Sequence, residues 1–159
     1  KNQSEKMKGV YLLLLQLDKT QEISIGRLGV QHFAMGSYAY VGSALNGLEA
    51  RVSRHLNWKK KYFWHIDYFL DKAWIYEIVL IPTEEKLECT LAIALKENLL
   101  CISRFGSSDC RCPGHLFFSN ERDDLDKQMT IALANLSLTY YRRPIIHSDA
   151  EVIHHVINQ

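Results

Sequence analysis

Tyr11, Tyr40, Arg51, His55 and Glu88 are the side-chain types that a site for a phosphate ester needs. Cleaving such an ester takes a deprotonated water, neutralisation of charge building on the phosphate oxygens, and help for the leaving oxygen. Arginine donates two hydrogen bonds to phosphate in a fixed geometry. A carboxylate holds a hard divalent cation through oxygen, with waters filling the other positions. A tyrosine or histidine beside that cation takes or relays a proton. Arg51 and His55 are four residues apart, which makes them neighbours on a helix surface.

These side chains need strands and helices to position them. The apolar run 9–17 (GVYLLLLQL) predicts a central strand buried on both faces. Residues 22–28 (EISIGRL) alternate after a turn at Asp18-Lys19-Thr20, which suggests a hairpin. Residues 38–42 predict a further strand. Asn46 is the expected N-cap of a helix over 47–57, with Leu48, Val52 and Leu56 as its buried stripe. Segment 62–70 reads equally as strand or helix. Residues 74–81 predict a strand, and Thr83 is expected to cap a helix over 84–97 on which Glu88 lies beside the stripe Leu87, Leu91 and Leu95. Strands over 99–105 and 115–118 flank a loop, and 124–137 is an amphipathic helix. Ser148 with Glu151 predicts a last helix. The order of elements points to an α+β fold, a small and mainly antiparallel sheet flanked by helices, with a helical extension over 119–159.

Gly9-Val10-Tyr11 and Tyr40-Val41-Gly42, followed by Arg51, His55 and Glu88, resemble the GIY-YIG nucleases. The resemblance implies a metal-dependent endonuclease, a hydrolase of DNA phosphodiester bonds. Tyr11 or Tyr40 would accept the proton of water, Arg51 would brace the phosphate, His55 would assist, and Glu88 would bind one magnesium or manganese ion. The two motifs stand further apart than in most of that family, so an extra strand is expected between them. Ser43 stands where the family often has lysine. A second block, Phe105-Gly106-Ser107-Ser108-Asp109-Cys110 with Cys112 and Pro113-Gly114-His115-Leu116-Phe117, is similar to an uncharacterised branch of the superfamily. That branch occurs alone and fused to archaeal DNA glycosylases, which implies DNA repair and a glycosylase or other repair protein as partner. The resemblance covers roughly residues 8–118.

Other residues are assigned supporting work. Ser43, Arg54, Lys59, Lys60, Lys61 and Arg111 are expected to meet nucleic acid, structure-specific or single-stranded DNA included; a solvated lysine run is the plainer reading of the three lysines. His65 and Asp67 would share one face of a strand and pair. Asp109 would cap loop amides, and Cys110, Cys112 and His115 would line the groove. With Cys89 or Cys101 the same loop could hold zinc, although C-x-C is tighter than the usual spacing. A reactive thiol at Cys110 or Cys112 is a further reading, and loop packing the plainest.

Composition sets bounds. The chain has 159 residues, 47% hydrophobic, with 19 Lys plus Arg against 18 Asp plus Glu. One domain with one real core follows, without a strongly basic coat. No apolar run approaches the roughly 20 residues of a membrane span. Cysteine usage and the absence of a visible secretory signal suggest a reduced, intracellular protein. A chain opening on Lys is expected to be trimmed, tagged or cut from a longer protein. A non-cleaving nucleic-acid-binding module is the alternative to the nuclease, and a zinc protein built on the cysteine loop is the third reading.

Overall fold

A computed structural model describes residues 7–57, 59–108 and 110–146. Its main sheet has six strands, all antiparallel: β1 (Gly9–Leu17), β4 (Gly36–Ala44), β5 (Trp74–Pro82), β6 (Leu100–Ile102), β7 (Leu116–Ser119) and β8 (Tyr141–Pro144). The order is β6-β7-β4-β1-β5-β8, so β1 lies between β4 and β5. Its apolar run follows from that position. Tyr11, Leu13, Leu15 and Leu17 pack on one face, with α1 (Leu48–Leu56) and α2 (His65–Phe69). Val10, Leu12 and Leu14 pack on the other, with α3 (Glu88–Lys96) and α4 (Arg122–Asn135). Burying both faces removes the polar alternation that marks a half-exposed strand.

Several boundaries differ from expectation for physical reasons. The segment expected as one strand over 22–28 is β2 (Gln21–Ser24) followed by a 3-10 turn over Gly26–Leu28. It pairs with β3 (Val30–Phe33) and not with β1, so the insertion between the two tyrosine strands is a separate two-stranded ribbon. Gly47, not Asn46, is the N-cap of α1, and the Leu48 amide donates to the Met7 carbonyl at 2.7 Å. The third member of its stripe is His55 and not Leu56, which is exposed. Within segment 62–70, His65–Phe69 is helix and no residue is strand. The Asp67 carboxylate accepts the amides of Phe63 and Trp64, both at 2.8 Å, and so stops the chain from continuing as a strand. Thr83 Oγ1 accepts the Glu85 amide and holds a turn; α3 begins only at Glu88.

Beyond residue 119 the chain supplies α4 and also the edge strand β8. β8 escapes a hydrophobic-pattern reading because it is polar: Arg142 reaches Glu77 at 2.6 Å and also pairs with Asp126, and Arg143 reaches Glu49 at 3.2 Å. Pro144 fits there because an edge position leaves its missing amide unneeded. The helix expected from Ser148 lies outside the described residues.

Candidate active-site cleft and cysteine cluster

A cleft of about 570 Å³ opens where β4 outruns its neighbour. β7 pairs with β4 only as far as Tyr40, leaving Gly42–Ala44 with β1 as their one strand partner among the described residues. Tyr11, Tyr40, Arg51 and Glu88 all line this cleft. His55 stands behind them, buried, with its Nε2 2.6 Å from the Tyr11 hydroxyl.

The register explains how Tyr11 gets there. Tyr11 lies opposite Gly42 in the β1–β4 pair. A Cβ on Gly42 would fall 2.3 Å from the tyrosine ring and hydroxyl, so only glycine lets the ring lie across the neighbouring strand. Burial drives the Tyr11 phenol well above its ordinary pKa, and Arg51 pulls it back part of the way. Tyr40 is shifted strongly upward too, by burial first and then by Tyr11 and Glu88. Burial lowers His55 to about 3, so the ring is neutral. Its Nδ1 is buried and has no hydrogen-bond partner among the described residues.

Arg51 is set by its surroundings. Its Nη1 donates to the Ser43 carbonyl at 2.7 Å, and its guanidinium lies 4.4 Å from the centre of the Trp64 ring. Arg54 covers the same indole at 4.2 Å. Trp64 thus packs against two guanidinium groups, with cation–π attraction to each. Arg54 itself is committed to structure. It makes a forked bond to both oxygens of Asp67, at 2.9 and 3.0 Å, and donates to the Lys61 carbonyl. The Asp67 carboxyl is held below the ordinary carboxylate pKa: burial works upward, but Arg54 and the two backbone amides outweigh it.

A second cluster adjoins the cleft. Cys89, Cys110, Cys112 and His115 each offer one ligand atom, all within 4.8 Å of one another. Cys110 Sγ lies 3.4 Å from His115 Nε2. On the other side of that ring, Nδ1 lies 3.5 Å from a Glu88 oxygen, an ion-pair separation without hydrogen-bond geometry. Burial disfavours the His115 cation, yet Glu88 and Cys110 outweigh it and raise its pKa.

A family model described as a domain of unknown function, DUF123, matches residues 10–138. The chain belongs to that family. No curated protein and no solved structure matches it.

The remaining predicted residues of this DUF123 domain divide between cleft and scaffold. Ser43 lines the cleft and positions Arg51 through its carbonyl. Arg54 is a scaffold residue, against the expectation of a phosphate contact, because Asp67 takes its fork. Lys60 is corrected likewise: its Nζ donates to the His55 and Asn57 carbonyls at the C-terminal end of α1, where a cation is favoured. Lys59, Lys61 and Arg111 are exposed and do not line the cleft. His65 and Asp67 do not pair. His65 Nδ1 accepts the Gly106 amide at 2.8 Å and ties the loop to α2. Gly106 has φ of 72°, and a Cβ there would press on Tyr40 and His115. Asp109 lies outside the described residues. Cys101 is not in the cysteine cluster, and Cys89 is. Trp64 is a cleft residue that the sequence pattern does not single out; its place as the N-cap of α2, three residues before Asp67 and against two arginines, is visible only once α2 is known. No described helix is long and apolar enough to cross a membrane.

Proposed function

We propose that this domain is a metal-dependent endonuclease of the GIY-YIG type that hydrolyses DNA phosphodiester bonds. The observation that carries the reading is the 2.6 Å contact between Tyr11 and the buried, neutral His55, at the wall of a cleft that also holds Arg51 and Glu88. Tyr11, donating its own hydroxyl hydrogen to the neutral His55 Nε2, turns its oxygen lone pair toward the cleft as the acceptor for the attacking water. That assigns the acceptor role to Tyr11 over Tyr40, whose ring meets His55 only edge-on at 6.3 Å. As the new P–O bond forms and the leaving oxygen departs, Arg51 donates hydrogen bonds to the non-bridging oxygens. Trp64 and the Ser43 carbonyl keep that guanidinium from swinging away.

The donor set fits a hard divalent ion: Glu88 is partly exposed in the cleft and has an oxygen beyond the one facing His115. Glu88 would hold magnesium or manganese, which would supply charge neutralisation at the phosphate. DNA repair, and a glycosylase or other repair protein as partner, belong to this reading through the sequence resemblance alone.

Incubating the chain with nicked, branched and single-stranded DNA and either metal tests it. Cleavage is expected, with Arg51→Ala and Glu88→Ala each slower by about 10²–10³-fold. Activity surviving both substitutions contradicts the residue roles. Metal-independent binding without products favours a non-cleaving module.

A further inference from the structure

The geometry points to a zinc site formed by Cys89, Cys110, Cys112 and His115, with Glu88 fixing the histidine. Three sulfurs and one imidazole nitrogen are the soft set that selects zinc over magnesium or manganese. Their mutual separations, all within 4.8 Å, are close to closing on an ion. In tetrahedral zinc, bond lengths of ~2.3 Å to sulfur and ~2.0–2.1 Å to nitrogen place ligand atoms ~3.5–3.8 Å apart. The 3.4 Å between Cys110 Sγ and His115 Nε2 is already at that separation.

His115 supplies the second observation. The residue is 1% exposed, and its Nδ1 has no hydrogen-bond partner among the described residues but faces a Glu88 oxygen at 3.5 Å. A zinc-bound histidine donates its other ring N–H to a carboxylate, which fixes its tautomer and orientation. With Nε2 on the metal, Nδ1–H points at Glu88, and a small closure makes the hydrogen bond. The tight C-x-C spacing counts for little, because Cys89 comes from α3 while the other three ligands come from the loop before β7. Zinc would therefore fasten that loop to the first turn of α3. Loading exchanges three thiol protons for one Zn²⁺. Glu88 then has one oxygen on His115 and the other free for the cleft, so the clamp also orients the carboxylate of the proposed catalytic site. The zinc assignment itself does not rest on the nuclease reading.

Metal analysis of the chain purified from zinc-supplemented cells is expected to give one zinc per chain. Titrating the apo chain with Co²⁺ is expected to produce thiolate-to-cobalt charge transfer and tetrahedral ligand-field bands. Cys112→Ser should lose the metal, Cys101→Ser should keep it, and Glu88→Gln should keep it with affinity weakened ~10–100-fold. Should Cys112→Ser fail to fold, the cobalt spectrum of the wild-type chain decides. Zinc well below one per chain together with a featureless cobalt titration overturns the site, as does iron in its place or loss of metal in Cys101→Ser. None of these readouts involves cleavage, so a chain that cuts no DNA leaves the metal result standing.

Discussion

At the scale of single residues, His55 is a titratable ring whose chemistry is set by burial. Tyr11, Tyr40 and Trp64 face its ring; Asp67 favours its cation, while Lys60, Arg54 and Arg51 oppose it. Burial dominates and holds its pKa at about 3, against 6.5 in an unfolded chain. Between those values the unfolded histidine binds a proton that the folded one refuses. Its contribution to stability is therefore complete above pH 6.5 and is lost as pH falls, by about 1.4 kcal/mol per pH unit. His115, shifted upward, works in the opposite sense. The informative quantity is thus the difference between wild type and His55→Phe in urea unfolding at pH 7 and pH 5. Wild type should lose more stability than the variant on acidification; equal losses contradict a buried neutral ring.

At the scale of elements, α2 is the piece on which the site's basic wall depends. Asp67 caps its first turn and takes the Arg54 fork, and Arg54 and Arg51 both pack on the Trp64 ring. Asp67→Ala leaves two backbone amides and a partly buried guanidinium without their acceptor. It should cost about 3 kcal/mol in unfolding free energy, the lower end for removing one partner of a buried pair; a loss under about 1 kcal/mol would place the pair among weak surface bridges. This element also shows where sequence reading stops. Tyr11, Tyr40 and Arg51 were legible because each sits on an element with a strong period: a fully apolar strand, or a helix with a stripe every four residues. Glu88 was legible as a residue of a core helix, but its place in the first turn was not, because Thr83 offers an equally good cap. Arg54 and Lys60 were misread because their partners lie in an ambiguous aromatic segment and in the carbonyls ending α1. Cationic residues reveal nothing of such partners in a sequence pattern. β8 was missed because its edge position is stabilised by arginine ion pairs.

At the scale of the molecule, charge and shape decide how the cleft is used. The chain carries 19 basic and 18 acidic residues, so attraction for a polyanion has to come from the cleft and its rim. Arg51 is the guanidinium in it, with Lys8 and Lys86 nearby and Glu84 and Glu85 opposing them. With helices on both faces of the sheet, Tyr11 and Tyr40 reach this cleft at the open end of β4. The measurement that bears most directly on the nuclease reading is single-turnover cleavage of the DNA panel by wild type and Tyr11→Phe, with magnesium or manganese, after circular dichroism confirms that both are folded. Removing one hydroxyl should slow cleavage by about 10²–10⁴-fold while DNA binding changes little. Cleavage by Tyr11→Phe at the wild-type rate, or no cleavage of any DNA by the folded wild-type chain, contradicts it.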